Sequence, residues 1–424
     1  MKKVFIRTFG CQMNEYDSER MAGILLEKGE YQIVNSEDEA DIIIVNTCCV
    51  REHAENRELS YIGKYVKNKK VVVAGCMAQN KKQELFKLFP DLFAVIGTFN
   101  FLKISDILKD ENKKILVDET DIEFKTNYKR EKKIDSLLTI MTGCNNFCSY
   151  CIVPYVRGRE KSRPVKEIVE EIKNMVKQGI KQIMLIGQNV NSYFDEKENI
   201  NFPKLLKIVH DIDGIERIKF MTSHPKDLTE ELIETIKTGE KFTKHFHLPL
   251  QSGSNKILKL MNRKYTMEEY AEKIKKIRDG IQNVNITTDI LVGFPGEDEN
   301  DFLETVNAMK KIKFDDAYCF KYSLRKGTQA EKYGDTISEE EKLKRLNYII
   351  ELQKNISYDI NKSYLGKIFN ALVLSQSFKR KEELKAETDN GKKVFMKGDK
   401  GLTGKIVKVK LIEIRGDSFG GEMI

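Results

Sequence analysis

Three times in its first 76 residues the chain runs through a short Val- and Ile-rich stretch and halts at a cysteine. KKVFIRTFGC ends at Cys11, DIIIVNTC at Cys48 and KVVVAGC at Cys76. Each run is nearly continuous in apolar residues rather than alternating, which marks a strand buried on both faces. Between them, SERMAGILLEKG and REHAENRELSYIGKYV space apolar residues three and four apart, as an amphipathic helix does. Buried strands alternating with helices build a parallel sheet covered by helices. Such sheets bind ligands beyond the carboxyl ends of their strands, and all three cysteines occupy that edge.

After a highly charged stretch at 109–133, which suits a linker with a short β-ribbon, the alternation resumes. Candidate strands are SLLTIMTGC, QIMLIGQNV, RIKFMTS, KHFHLPLQS, ITTDILVGF and DAYCFKYSL, with helices such as VKEIVEEIKNMVKQ and MEEYAEKIKKIRD between them. These six βα units predict an open, partial parallel barrel rather than a closed TIM barrel. EEEKLKRLNYIIELQKNISYDINKSY reads as a long exit helix. Beyond it, KIFNALVL, KKVFMK and GKIVKVKLIEI read as strands of a small β-barrel or sandwich. The fold class is therefore α/β with a small β module at the end.

Composition narrows the function. Hydrophobic residues make up 40% and charged residues 33%, and the mean hydropathy is −0.46, the profile of a soluble globular protein. No stretch approaches the roughly 20 apolar residues of a membrane span, so no membrane partner is expected. The first apolar run is cut by Arg7 and then by Asn14 and Glu15, too short for a signal-peptide core, so a cytoplasmic protein is expected. No heptad seam is evident, and a monomer is expected. Within 361–424, 14 Lys and Arg face 8 Asp and Glu, a net +6 of the chain's +8. Such a basic tail suits either a polyanion, foremost RNA, or a plain solvated surface.

There are eight cysteines: Cys11, Cys48, Cys49, Cys76, Cys144, Cys148, Cys151 and Cys319. In a cytoplasmic chain of this size they point to metal or redox chemistry rather than disulfides. The densest group, Cys144-x-x-x-Cys148-x-x-Cys151, follows the first strand of the second series. Three thiolates in one loop can hold three irons of a 4Fe-4S cluster and leave the fourth open to bind and reduce a ligand. A zinc knuckle and a group of unpaired buried thiols compete with that reading. Structural zinc takes four ligands, and no fourth Cys or His lies nearby in the sequence.

The three-cysteine motif, with Tyr150 before its last cysteine, opens a partial βα barrel and resembles the radical S-adenosylmethionine (SAM) superfamily. TFGCQMNEYDSE, NTCCVREHAENR, VVVAGCMAQ, GCNNFCSYCIVPYVRGREKSRP, LIGQNVNSY, HLPLQSGSNKILKLMNRKYT and DILVGFPGE resemble the MiaB-type tRNA methylthiotransferases over essentially the whole chain. The resemblance implies an N-terminal methylthiotransferase domain at 1–115, a radical SAM core at 130–358 and an RNA-binding TRAM domain at 361–424. It implies that Cys144, Cys148 and Cys151 hold the catalytic radical-SAM cluster, and that Cys11, Cys48 and Cys76 hold a second, auxiliary 4Fe-4S cluster that carries sulfur.

The softer assignments follow from the same resemblance. Tyr150 is placed to meet the adenine of SAM. Gln188 and Asn189 in GQNVN, Gln251 and Ser252, and the 289–296 turn end strands where SAM or substrate would bind, with ordinary strand-end capping as the alternative. Arg157, Arg159, Lys161 and Arg163 would form a basic rim for RNA, against a plain solvated loop. Lys379, Arg380, Lys381, Lys392, Lys393, Lys405, Lys408 and Lys410 are candidate RNA contacts in the tail. The tail lacks clear aromatic stacking pairs, so phosphate and shape contacts should dominate there. Cys49 follows Cys48 where a small residue is usual and could compete with it as a ligand, but strand alternation turns it to the opposite face and favours Cys48. Cys319 reads as a small buried hydrophobe, and His245 and His247, on one strand face, read as satisfied inward-facing histidines or as ligands.

The implied reaction is methylthiolation of C2 of N6-isopentenyladenosine (i6A) at position 37 of tRNA. An electron from the radical-SAM cluster cleaves SAM to methionine and a 5′-deoxyadenosyl radical, which takes hydrogen from a C–H bond that offers no acidic proton to a base. Sulfur comes from the auxiliary cluster and the methyl group from a second SAM. The implied partners are the tRNA anticodon stem-loop carrying i6A37 and an electron donor of flavodoxin or ferredoxin type. The branch rests on Gly10-Cys11-Gln12-Met13-Asn14 and on Cys49-Val50-Arg51-Glu52, since the threonylcarbamoyladenosine branch reads Gly-Cys-Lys-Val-Asn at the first cysteine. Methylthiolation of threonylcarbamoyladenosine-37 is the neighbouring alternative. A non-enzymatic iron–sulfur RNA-binding sensor is the other, and it does not account for an open-site motif on a barrel.

Overall fold

The cysteine-terminated runs lie side by side in an all-parallel sheet. Its strands are β1 (Lys2–Thr8), β2 (Tyr31–Ile33), β3 (Ile42–Thr47), β4 (Lys70–Gly75), β5 (Ala94–Ile96) and β6 (Lys114–Leu116), in the order β2-β1-β3-β4-β5-β6. Every residue of β3 is buried, as its unbroken apolar run requires. β6 falls inside the charged stretch expected as a linker with a β-ribbon. Instead its Ile115 pairs with Val95 and makes the sheet's sixth, parallel strand. The computed structural model describes residues 1–27, 29–49, 52–110, 112–118, 124 and 134–424, with backbone alone over 52–54. Most of the expected linker, and Val50 and Arg51 of the branch signature, lie outside the described residues.

The chain divides into two units, Met1–Glu131 with Met141–Phe147 and Cys151–Arg163, and Lys132–Ile140 with Cys148–Tyr150 and Pro164–Ile424. The first holds the sheet and a short antiparallel pair, β8 (Met141–Thr142) with β9 (Lys161–Ser162), numbered after β7 (Asp135–Thr139) of the second. In the second unit β7 pairs in parallel with β10 (Gln182–Ile186), and β10 with β13 (Arg217–Phe220), the small hairpin β11 (Phe194–Asp195) and β12 (Ile200–Asn201) intervening in the chain. A bridge from Ile218 to Phe242 leads to a second parallel set, β14 (His245–His247), β15 (Asn285–Val292) and β16 (Asp316–Lys321). These are the six strands the sequence predicts. The helix Val165–Lys177 shows why the layers close: Val165, Ile168, Ile172 and Met175 form one buried stripe at helical spacing.

The exit helix runs over Glu339–Tyr364, started by Ser338, whose hydroxyl accepts from Glu341 N. A closed five-stranded barrel follows, made of β17 (Ile368–Gln376), β18 (Glu383–Thr388), β19 (Lys393–Lys397), β20 (Ile406–Arg415) and β21 (Ser418–Met423). Neither β18 nor β21 is among the strands expected from the sequence pattern. The turn between β18 and β19 is fastened to the amino ends of the parallel strands. Arg217 donates to Thr388 O at 2.8 Å, Lys244 N to Asp389 O at 2.7 Å and Asn285 Nδ2 to Asn390 O at 3.1 Å. Lys392 pairs with Asp315 at 3.0 Å, and Lys219 with Glu387 at 2.6 Å.

Candidate functional site

Register alone gathers the first three cysteines. Thr8 pairs with Asn46, and Thr47 with Gly75, so Cys48 and Cys76 leave neighbouring strands at one level and Cys11 follows a short turn after β1. Gly75 has φ +96°, and a Cβ there would lie 2.5 Å from Asn46 Oδ1 and Thr47 O, so only glycine lets β4 end this close to β3. Two buried asparagines that the sequence reading passed over lock the edge. Asn14 Nδ2 donates to Asn46 Oδ1 at 3.2 Å and to Thr47 O at 3.0 Å, and Asn46 Nδ2 donates back to Asn14 O at 2.8 Å. Asn14 Oδ1 in turn lies 3.4 Å from Cys11 Sγ. The GCxxN and NTC patterns were the available signal for both.

Cys48, Cys49 and Cys76 are buried and Cys11 is exposed. Cys48 N donates to the Glu58 carboxyl at 3.1 and 3.2 Å. Burial pushes Glu58 up to about 8 against that hydrogen bond, which keeps it protonated at neutral pH. Cys49 is not turned away from the site as alternation predicted, because β3 stops at Thr47 and the chain no longer follows a strand. Its thiol donates to Cys76, and this bond, with Arg157 behind it, holds the Cys76 thiol below its usual range against the effect of burial. Among the described residues no three His, Cys, Asp or Glu converge tightly enough for a single metal ion. The donors at this edge are soft thiols, the set an iron–sulfur cluster takes, and a cube ligated at separate irons spaces its thiolates more widely than one ion does.

Arg157 and Arg163 correct the expected basic rim. Arg157 Nη2 pairs with Asp17 Oδ2 at 2.9 Å with both side chains 5% exposed, and its charge reaches Cys76 and Cys11. Arg163, also buried, donates to Tyr16 OH at 3.4 Å. Neither guanidinium meets solvent. Arg159 does, with its Cζ 4.2 Å over the Phe147 ring. In the tail Lys392 is likewise buried against Asp315, whereas Lys379, Arg380, Lys393 and Lys405 are exposed. Phe378 is fully exposed beside Lys379–Lys381 and supplies an aromatic surface that the sequence reading did not anticipate.

The loop of the densest cysteine group is held in the second unit at Cys148–Tyr150. Ser149 N donates to Met261 O at 3.0 Å and its hydroxyl to Leu260 O at 2.8 Å. Arg263, buried and not foreseen, donates to Cys148 Sγ at 3.3 Å, to Pro249 O at 2.8 Å and to Tyr265 OH at 3.0 Å. Tyr150 stands edge-on to Phe294 with centroids 6.4 Å apart. At the carboxyl ends of β10 and β13, Gln188 Oε1, both polar atoms of Asn191, Ser223 Oγ and His224 Nε2 are buried with no partner among the described residues. His224 Nδ1 accepts from Lys226 N at 3.2 Å. Burial, with Arg263 nearby, pushes His224 down to about 2, so its neutral ring carries the proton on the free Nε2. These orphaned groups fit a polar ligand such as the amino acid moiety of SAM.

Two expected contacts serve the fold instead. Asn189 donates to Asp227 at 2.7 Å and accepts from His224 N at 2.9 Å, which ties the two strand-end loops together. Ser252 is fully buried, its hydroxyl 3.3 Å from Thr305 Oγ1, so it does not face a ligand. Gln251, with φ +73°, is bridged to Ile290. His245 and His247 both bond Thr287 Oγ1, at 2.9 and 3.0 Å, and so are satisfied. Burial pushes the Cys319 thiol up to about 12, in keeping with a packing role.

An open parallel half-barrel with a three-cysteine loop after its first strand is the architecture of radical SAM enzymes. The Radical SAM superfamily model matches residues 138–309, that of Uncharacterized protein family UPF0004 matches 3–97, and the TRAM domain matches 362–424. The solved radical S-adenosylmethionine methyltransferase TsrM from Kitasatospora setae shares the fold at 14% identity, with a TM-score of 0.57 over 78% of this chain and 74% of that one. The chain belongs to the tRNA-2-methylthio-N(6)-dimethylallyladenosine synthases. It is 44% identical to the synthase of Alkaliphilus oremlandii, covering 100% of this chain and 93% of that one. It is 45% identical to the synthase of Clostridium botulinum strain Hall, covering 99% and 96%.

Proposed function

We propose that the chain methylthiolates C2 of N6-isopentenyladenosine-37 in tRNA, with Cys144, Cys148 and Cys151 holding the radical-SAM cluster and Cys11, Cys48 and Cys76 the auxiliary one. The observation that carries the reading is the pairing of two three-cysteine sets, one following the first strand of the half-barrel and one on adjacent ends of a parallel sheet. When bound, the two clusters supply the electron that cleaves SAM and the sulfur that is transferred. The protein's own part is to hold and orient. Arg263 fixes the Cys148 sulfur through a charged hydrogen bond. The unpaired groups of Gln188, Asn191, Ser223 and His224 receive the polar end of SAM, and Tyr150 flanks its adenine. Glu58, protonated, adds no charge beside Cys48, while Arg157 offsets the negative charge of the thiolates.

Segments 1–115, 130–358 and 361–424 serve as sulfur-donating, radical and RNA-holding domains. Arg159, Lys379, Arg380, Lys393 and Lys405 meet the RNA backbone. The enzyme works in the cytoplasm as a monomer, reduced by a flavodoxin- or ferredoxin-type donor. The test is nucleoside mass spectrometry after anaerobic reaction of reconstituted protein, SAM and reductant with i6A37-tRNA and, separately, threonylcarbamoyl-A37 tRNA. Methylthio mass on the isopentenyl substrate alone is expected. Gain on the other substrate alone moves the enzyme to the neighbouring branch, and clusters without SAM cleavage make it a sensor.

A further inference from the structure

At the carboxyl end of β1, on the face covered by the helix Glu52–Tyr65, the first unit has an open cleft of about 460 Å³. Its wall carries three cations, Arg7, Arg57 and Lys64, all exposed, and two aromatic rings, Phe9 and Tyr61. The rings meet edge-on at 5.6 Å, and the Arg7 Cζ lies 5.4 Å from the Phe9 centroid and 5.7 Å from that of Tyr61. Two acids reach its margin, Asp38 and Glu37, the latter accepting from Tyr61 OH at 2.9 Å, so the three cations still leave an excess of positive charge. Phe9 N bonds Asn46 O at 2.8 Å, which sets the aromatic wall two residues from Cys11.

Cations interleaved with aromatic rings in an open groove are what single-stranded nucleic acid needs: phosphodiesters on the charges, a base against a ring. We propose that this cleft binds one or two nucleotides of the RNA substrate flanking the reacting adenosine, with phosphates on Arg57 and Lys64 and a base against Phe9 and Tyr61. The proposal rests on the reading of RNA as substrate. RNA that brings an adenosine to the cysteines at this sheet edge must lay its neighbouring backbone along the same edge, and the cleft offers a cationic, aromatic surface there.

The test is fluorescence anisotropy of a labelled anticodon stem-loop RNA on the full-length, cluster-loaded protein across a series of salt concentrations, comparing wild type with Arg57→Glu/Lys64→Glu. Iron content and melting temperature establish that the variant is folded and loaded. Loss of two phosphate contacts is expected to weaken binding at least tenfold and to flatten the slope of log K against log salt by about 1.4, at about 0.7 per contact for single strands. Tyr61→Leu is expected to weaken binding severalfold without changing the slope. Unchanged affinity and slope overturn the proposal while leaving the substrate reading intact, and failure of the wild type to bind RNA overturns the substrate reading itself. Unchanged RNA binding with loss of a sulfur-delivering protein partner also overturns it, by assigning the face to a protein.

Discussion

Asp17→Ala is the sharpest test of how the cysteine-bearing sheet edge is built. Asp17 and Arg157 pair at 2.9 Å with each side chain 5% exposed, so removing the carboxylate leaves a desolvated guanidinium. Breaking one side of a buried pair costs about 3–5 kcal/mol. Arg157 retains a partner in Cys76, which puts the expectation near the low end, at about 3 kcal/mol. Urea unfolding of the apo-protein followed by circular dichroism reads this as a midpoint lowered by about 1 M, for a slope of about 3 kcal/mol/M. The double variant Asp17→Leu/Arg157→Met removes both charges together and is expected to recover most of the loss. Arg157→Met should leave RNA affinity and its salt slope unchanged, whereas Arg159→Ala should weaken binding. The reasoning fails if the single change costs under about 1 kcal/mol, if the double variant is as unstable as the single, or if Arg157→Met flattens the salt slope.

Arg263→Lys keeps the charge but loses the fork that reaches Cys148, Pro249 and Tyr265 at once. It is expected to slow 5′-deoxyadenosine formation about tenfold, the worth of one charged hydrogen bond, and a wild-type rate by chromatography refutes the role. Cys148→Ala should abolish SAM cleavage, while Cys76→Ala should keep cleavage and lose thiolation; equal loss of both activities sinks the division of labour. Burial pushes His224 down to about 2 and His245 to about 3. Below the unfolded value of about 6.5 the unfolded chain therefore binds the extra protons, so stability is complete above that pH and falls as pH drops. At pH 5 the loss is at most about 2 kcal/mol per histidine, less for the half-buried His245. Unfolding titrations at pH 7 and 5 should show His245→Gln flattening this loss, and an unaltered pH dependence contradicts it.

What was legible in the sequence was whatever is written in local pattern. The apolar runs before Cys11, Cys48 and Cys76 announced the sheet and the edge at which those cysteines lie, and the helix Glu339–Tyr364 was readable from end to end. β18 and β21 escaped because Glu383, Lys385 and Glu387 give β18 a polar look, and Gly420 and Gly421 thin out β21. The buried glutamates of β18 are matched by Arg415 and Lys219, distant in the chain, with Arg380 the one nearby partner, of Glu383. The same holds for the misread cations. Arg157 and Asp17 are 140 positions apart, and a basic residue in a loop motif looks alike whether its partner is a phosphate or a distant carboxylate. Cys49 was misplaced for a different reason, since alternation was carried two residues past the end of the strand.

The turn between β18 and β19, pinned by Arg217, Lys244, Asn285 and Asp315 to four successive strands, makes the terminal barrel a fixed jig rather than a hand on a string. Under the proposed function, RNA held by the outer lysines would be presented to the half-barrel at a set reach, because every anchor sits in or at the amino end of one of the parallel strands of the half-barrel. Selection among RNAs then becomes partly a matter of dimension. A stem whose length or helical phase carried the target base short of, or past, that reach would then be rejected without any of its bases being read.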